Sequence, residues 1–255
     1  MSAITVLTRV GNPGDRFPRC LESVKWADDL FCVVDTKTMD GSEEVARRYS
    51  NHVVLREHIN ESDQWNWALP QIKTEWTLVL DADEWLSDQA AAKIRAIIED
   101  PNSKDGYSIL RLPYFFGKRI KYSGWQHDFV LRLFRTRKGH YENRRVHARL
   151  IFDGTTGWID EPMYHDTYRT FEEFFFTLQC FTTLGALDAY DRGKRTGILD
   201  LTLRPLHRFV RMYIFQQGFR DGYHGIVLCG LSAFSVFTKY AKLWNIQRER
   251  EKAEG

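Results

Sequence analysis

Asp81, Asp83 and Glu84 stand close together in the run Leu78 to Ser87, LVLDADEWLS, directly after an apolar stretch that reads as a buried strand. Ionised carboxylates crowded at the end of a water-poor strand repel one another and need a cation or hydrogen-bond donors. Aspartates at i and i+2 can both turn toward one site once the chain leaves the pleat. A hard divalent cation, Mg2+ or Mn2+, takes one or two such carboxylates together with phosphate oxygens and water. The chemistry expected of Asp81 and Asp83 is therefore a metal–diphosphate site. The competing structural role is that Asp83 and Glu84 begin the following helix, whose first turn favours negative charge.

The elements that must position these residues alternate. AITVLTRV is a β-branched run that ends at the turn formers GNPGD, and FPRCLESVKWA carries Phe17, Leu21 and Val24 at helical spacing. DLFCVVD is a second strand, and Ser42 is expected to cap the helix EEVARRYS, with Glu43 and Glu44 in its first turn. HVVLRE is a third strand, DQWNWALPQI a helix with Trp65, Leu69 and Ile72 near one face, and EWTLVLDADE a fourth strand. Strands alternating with short helices predict a mostly parallel, doubly wound sheet flanked by helices. Ligands bind such sheets at the carboxyl ends of the strands, which gathers Thr8, Arg9, Asp35 and the Asp81–Glu84 cluster on one rim as a donor-binding site. After the helix DQAAAKIRAIIED the pattern changes to antiparallel strands and hairpins with interleaved aromatic and arginine residues. It then becomes helical from Phe171 to Tyr190, and again from about Leu203 to the end.

The 255 residues are 43% hydrophobic, enough for a substantial core in one α/β domain. The 36 basic and 34 acidic residues nearly cancel to a net charge of +2, which gives no support to a polyanion-binding protein as a whole but leaves room for a local basic face; no nucleic-acid partner is expected. Cys20, Cys32, Cys180 and Cys229 show no CxxC pair and no metal-ligand spacing, and read as reduced core thiols of a cytosolic protein. MSAITVLTRV has no basic segment ahead of a long apolar one, so no secretory signal is expected. The longest apolar stretch, Gly225 to Phe237, falls short of the roughly 18 residues a bilayer span requires.

The stretches CLESVKWADDLFCVVDTKTMDGSEEVARRY, WNWAL, EWTLVLDADEWLS, DFVLRLFRT and MYHDTY together resemble the inverting family 2 glycosyltransferases of GT-A fold. Within them the chain is most similar to the lipopolysaccharide inner-core β-1,4-glucosyltransferase group. The resemblance extends over nearly the whole chain, including the tail GFRDGYHGIVLCGLSAFSVFTKYAKLW. It implies that Asp35 contacts the uracil or ribose of a UDP-hexose donor, that Asp40 shapes that pocket, and that Asn66 orders it. Asp81 and Asp83 would hold the metal bridging the donor diphosphate, and Glu84 would orient a metal-bound water or support the site from behind. The sequence departs from the family pattern in three places. RVGNPGD stands where Asn-Glu-Glu is common, Ala148 replaces the usual acidic residue after VH, and the Gln-x-x-Arg-Trp signature of processive members is absent.

Inverting transfer needs a general base for the attacking hydroxyl. Asp128, just before FVLRLFR, is the first candidate and Glu142 the second, with Asp160 and Glu161 further off; the structural alternative is that Asp128 pairs with Arg132 or Arg135. His165 in MYHDTY is a candidate third metal ligand, with His147 a weaker one. Arg132, Arg135 and Arg144 suit phosphate, and Arg132 and Arg144 with Trp125, which offers a ring for stacking against a sugar, form the expected acceptor side.

From Arg204 to Lys252 nine Lys and Arg stand against three Asp and Glu, flanking apolar and aromatic residues. Such helices suit an anionic membrane surface. The expected organisation is a catalytic domain over 1–200, with a donor half at 1–100 and an acceptor half at 101–170, and a membrane-associating extension over 201–255. The expected function is metal-dependent transfer of a hexose, glucose from UDP-glucose, to a lipid-linked saccharide such as a heptose of lipopolysaccharide. The enzyme would be peripheral on the cytoplasmic face of the inner membrane. The alternatives are a non-catalytic nucleotide-sugar-binding scaffold and a sugar-phosphate nucleotidyltransferase; the latter calls for a Gly-rich basic loop that RVGNPGDR matches poorly.

Overall fold

The computed structural model describes residues 2–145 and 149–254, so His147 and Ala148 lie outside the described residues. The chain forms two compact units, Met1–Leu112 with His127–Asp166, and Pro113–Gln126 with Thr167–Gly255.

The first unit begins with the expected alternation: β1 (Ile4–Val10), α1 (Arg16–Val24), β2 (Asp29–Val34), α2 (Ser42–Tyr49), β3 (His52–Leu55), α3 (Glu61–Ala68) and β4 (Trp76–Val79). β5 (Glu84–Leu86), α4 (Asp88–Glu99), β6 (Gly106–Phe115), β8 (Asp128–Arg135), β9 (Gly139–Tyr141), β10 (Leu150–Phe152) and β11 (Thr156–Tyr168) follow, while β7 (Lys118–Arg119) belongs to the second unit. The main sheet runs in the order β3-β2-β1-β4-β8-β6-β11-β5. Strands β1 to β4 are parallel, while β8 pairs antiparallel with both β4 and β6, and β5 antiparallel with β11. The sheet is thus mixed, with its parallel half built from the first 80 residues.

Period-two alternation explains why the parallel strands read as nearly unbroken apolar runs. Val6, Val10, Cys32, Val34, Leu78 and Leu80 enter one buried cluster with Phe17 and Leu21 of α1 and Ile94 of α4. Leu7, Phe31, Val33 and Val79 enter another with Trp65 and Ala68 of α3. Both faces of β1, β2 and β4 are covered by these clusters, while β3 forms an edge of the sheet with His52 and Leu55 exposed.

The start of α2 corrects the expectation for Ser42. Gly41 is the N-cap, at φ +80°, where a side chain would be strained. The helix is instead capped by Asp40, whose carboxylate accepts the backbone N–H of Ser42 at 3.1 Å and that of Gly14 at 2.7 Å. Asp105 plays a comparable role before β6, accepting from Lys138 Nζ at 2.7 Å and from the Thr155 backbone N–H and hydroxyl at 2.9 and 3.0 Å. The Lys138 contact, then the Thr155 backbone N–H, lower the Asp105 carboxyl from 3.8 to about 2. Its contribution to stability is therefore present above pH 3.8 and lost as pH falls from 3.8 toward 2. Asp105→Asn is expected to flatten the acid unfolding curve in that interval relative to wild type, as read by circular dichroism across a pH series.

The second unit holds α5 (Phe171–Asp191), α6 (Ile198–Val210) and α7 (Tyr223–Glu254), with a π turn at Arg211–Phe215 before the last. Gly225 allows a close approach: a Cβ there would lie 1.9 Å from the Gly218 carbonyl oxygen. Lys242 of α7 is tied to α5 by hydrogen bonds from Nζ to the Gln179 carbonyl and to the Thr182 and Thr183 hydroxyls at 2.7 to 2.9 Å. No residue of α6 is buried, and Ile198, Leu199, Leu203 and Leu206 are all exposed. The expectation of no sufficiently long apolar segment is revised. Among the described residues one helix, Tyr223–Lys252, is long and apolar enough to cross a membrane by length and composition. Of the cysteines, Cys20, Cys32 and Cys229 are buried as expected, but Cys180 is exposed; all four are free thiols.

Candidate active site

The chain leaves β4 at Val79, five residues earlier than the sequence suggests, and turns tightly. The Glu84 N–H donates to the Asp81 carbonyl at 2.9 Å while Glu84 Oε2 accepts the Asp81 N–H at 3.0 Å. Glu84 then opens β5, in register with β11: Glu84 lies opposite His165, and the Asp166 N–H donates to the Asp83 carbonyl at 3.1 Å. Helix capping is not what Asp83 and Glu84 do. α4 is capped by Ser87, whose side chain accepts the Ala90 N–H.

The cation these carboxylates meet is arginine. Glu61 Oε1 holds Arg9 Nη2 at 2.8 Å, and Arg9 Nε reaches Asp81 Oδ1 at 3.2 Å. Arg132 Nη2 lies 2.7 Å from Asp81 Oδ2 and 2.8 Å from Glu84 Oε1. Arg111 Nη1 is 3.2 Å from the same Glu84 oxygen, and its Nε and Nη2 lie 2.8 and 2.7 Å from Asp128 Oδ2. Carboxylates and guanidinium groups thus alternate from α3 to the start of β8. Glu84 is fully buried and the Arg132 side chain only 8% exposed, so the charges survive desolvation because each is paired. Burial pushes the Asp81 carboxyl up, but Arg132 and then Arg9 outweigh it and hold it well below the usual carboxylate range. Burial likewise opposes the Arg132 charge, and Glu84 and Asp81 more than restore it.

Asp83 stands apart from this run. Its Oδ2 is 3.3 Å from His165 Nε2, and the two side chains are 28% and 17% exposed. Burial opposes protonation of His165, but Asp83 overcomes it and raises the imidazole above its ordinary 6.5. A carboxylate and an imidazole side by side are a donor set that suits a divalent cation. Among the described residues no third His, Cys, Asp or Glu joins them. Asp81, expected as a ligand, has both oxygens taken by arginine. A cation here would draw its remaining ligands from water and from a bound phosphate.

The other expected residues fall into place one by one. Asp35, at the end of β2, accepts the Lys37 and His58 N–H groups on Oδ1, at 3.3 and 3.2 Å. Its Oδ2 has no partner among the described residues. Asn66 is occupied: its amide brackets Tyr141, donating to the carbonyl at 2.8 Å and accepting the N–H at 2.7 Å. Thr8 is fully buried, so it lines the core beneath the rim. Arg132, expected on the acceptor side, is buried among the carboxylates instead. Glu142 and Arg144 pair with each other at 3.4 Å, beside the residues outside the description. Asp128 pairs with Arg111, not with Arg132 or Arg135. Trp125 belongs to the second unit, where its ring meets Phe115 edge-on at 6.2 Å.

Four residues of the site escape the sequence reading. Glu61 and Arg111 supply charges to the run, and Trp65 and Tyr141 stack at 5.9 Å with Arg9 over the Trp65 ring at 5.7 Å. Glu61 carried one usable signal, an acidic residue in the first turn of a helix capped by Asn60.

A family profile described as glycosyl transferase family 2 matches residues 5–157, more than half of the chain. The chain belongs to glycosyl transferase family 2. This glycosyltransferase is 24% identical over 242 residues to the lipopolysaccharide core biosynthesis glycosyltransferase LpsC of Rhizobium meliloti, covering 92% of this chain and 88% of the relative. It is likewise 24% identical over 259 residues to the uncharacterized glycosyltransferase RP128 of Rickettsia prowazekii, covering 95% and 87%. Among solved structures it resembles the mannosyltransferase PcManGT of Pyrobaculum calidifontis, in complex with GDP-Man and Mn2+. The TM-score is 0.52 at 14% identity, over 96% of this chain and 88% of that one, a likeness of fold. The glycosyltransferase has the GT-A fold that its sequence implied, with the matched region spanning the whole parallel half of the sheet.

Proposed function

We propose that this glycosyltransferase moves a hexose, with inversion, from a UDP-sugar to a lipid-linked saccharide, with a divalent cation at Asp83 and His165. One observation supports the reading: Asp83 and His165 pair at 3.3 Å in the turn beyond β4, and Asp128 is linked through Arg111 to Glu84 of the same turn. The partly exposed pair fits a metal, because it leaves coordination positions for diphosphate oxygens. A bound Mg2+ or Mn2+ supplies electrostatic stabilisation of the charge that develops on the departing diphosphate. Asp35, with a free oxygen beside the parallel strands, suits a ribose hydroxyl of the donor. Asp40 braces the adjoining turn through Gly14 and Ser42.

Asp128 takes the proton of the acceptor hydroxyl as that oxygen bonds to the anomeric carbon. The bond from the anomeric carbon to the phosphate oxygen breaks, and its electron pair leaves with the nucleoside diphosphate. Holding donor and acceptor in line converts the encounter into an effectively unimolecular step. The similarity to a lipopolysaccharide core biosynthesis glycosyltransferase supports a saccharide of that core as the acceptor, and within it we assign a heptose as the acceptor and glucose as the sugar moved.

We place the enzyme on the cytoplasmic face of a membrane, and α6 supports the attachment itself. Its exposed leucines stand in residues 192–220, a segment with seven Lys and Arg against the single Asp200. Lys242, in contrast, is spent on α5 and is not available to lipid.

Calorimetric titration with UDP and with GDP, each with and without Mn2+, tests the donor reading. UDP is expected to bind only when Mn2+ is present and GDP to bind more weakly. Failure of both nucleotides to bind, or binding indifferent to the metal, overturns it.

A further inference from the structure

We propose that Arg111 is a positioning residue for Asp128, locked in place by the buried Glu84. The acceptor-side carboxylate is thereby fixed to the turn that carries Asp81 and Asp83. The inference rests on the reading of Asp128 as the general base.

Arg111 and Asp128 are Cα partners on the antiparallel strands β6 and β8. An arginine and an aspartate that merely face each other across two strands make a pair of little energetic consequence, free to change rotamer. This pair is different, because the guanidinium is held from behind. Its Nη1 lies 3.2 Å from Glu84 Oε1, and Glu84 has no freedom of its own. Oε1 also accepts from Arg132, and Oε2 accepts the Asp81 N–H. A guanidinium is planar, so pinning one edge on Glu84 and the other on Asp128 fixes its plane.

The consequence for Asp128 lies in which oxygen is used. Both Arg111 contacts go to Oδ2, at 2.8 and 2.7 Å, while Oδ1 makes no hydrogen bond among the described residues. The side chain is 34% exposed, so the free oxygen is within reach of an acceptor. Arg111 therefore leaves one oxygen open and stops the carboxylate from turning away. It touches neither sugar nor diphosphate in this role, and acts only through Asp128. A base fixed in this way has its orientation settled before the acceptor arrives, which lowers the barrier of the transfer step without changing donor affinity.

The experiment compares wild type with Arg111→Met, Arg111→Lys, Asp128→Asn and the double variant Arg111→Met/Asp128→Asn. UDP-glucose and a heptose-terminated core saccharide are the substrates. Arg111→Met is expected to lower kcat about 30-fold with the KM for UDP-glucose within twofold, Arg111→Lys to recover part of the loss, and the double variant to be no slower than Asp128→Asn alone. If Asp128→Asn keeps wild-type kcat, the base reading fails and takes this inference with it. If Asp128→Asn is inactive while Arg111→Met keeps full kcat, or the two losses multiply, the positioning role alone is overturned.

A second measurement needs no turnover. The coupling between Arg111 and Asp128 in urea unfolding, from a double-mutant cycle, is expected to fall by at least half when the cycle is repeated in Glu84→Gln. An unchanged coupling shows that Glu84 does not hold Arg111, and overturns the proposal.

Discussion

Arg132→Met is expected to lower the unfolding free energy by about 3 kcal/mol, read as a large drop in the urea midpoint. Methionine fills much of the space but removes the charge that Asp81 Oδ2 and Glu84 Oε1 share. Glu84 is fully buried and would be left with Arg111 at 3.2 Å, and Asp81 with Arg9 at 3.2 Å. Deleting one partner of a buried ionic group typically costs about 3–5 kcal/mol, because the remaining charge is desolvated without compensation. The surviving arginines put this case at the lower end. Pairing Arg132→Met with Glu84→Leu should restore part of the loss, since apolar replacement of both members removes the stranded charge. A midpoint for Arg132→Met equal to that of wild type would show that solvent already reaches these groups, and the account of the site as a dry ionic network would have to be dropped.

Asp83→Ala is expected to do the reverse: to leave folding nearly intact and to lower sugar transfer by about a thousandfold, equivalent to about 4 kcal/mol of transition-state stabilisation. Asp83 lies outside the arginine network. Among the described residues its side chain pairs with His165, and the structural bond from the Asp166 N–H goes to the Asp83 backbone carbonyl, which alanine keeps. Parallel measurements of transfer rate, Mn2+-dependent UDP binding and thermal midpoint separate the possibilities. Loss of binding and rate at a constant midpoint supports the metal–diphosphate site. Activity within tenfold of wild type at a constant midpoint rules out Asp83 as its principal ligand.

The parallel half of the fold was legible because each of its elements is encoded locally. β1 and β2 are apolar runs ended by turn formers, β4 is an apolar run whose end the sequence put five residues too late, and α1 and α4 carry apolar residues at helical spacing. β5 was not, since its three residues, Glu84–Leu86, follow the β4 turn without a breaker and owe their state to pairing with β11, about 80 residues later. The same distance problem hid the partners of the acidic cluster. Arg111 meets Asp128 through a strand register that includes an irregularity between Tyr107 and Ser108, and Arg132 reaches Asp81 from a strand that runs the opposite way to β4. The sequence showed that the carboxylates needed a cation. It did not show that, for two of the three, arginine already stands in that place. The juxtaposition of Asp83 and His165 could be anticipated as a chemical possibility, and the register of β5 with β11 supplies the geometry.

The alternation from Glu61 through Arg9, Asp81, Arg132, Glu84 and Arg111 to Asp128 also constrains ancestry. Exchanging one of its inner members for a neutral residue leaves each of the two beside it with a single partner, so changes in adjacent pairs cost less than changes made singly. Drift at these positions should therefore be concerted: where a descendant has lost the arginine of β6, the glutamate that opens β5 should have been lost too, while the leucines along the outer face of α6 vary one at a time.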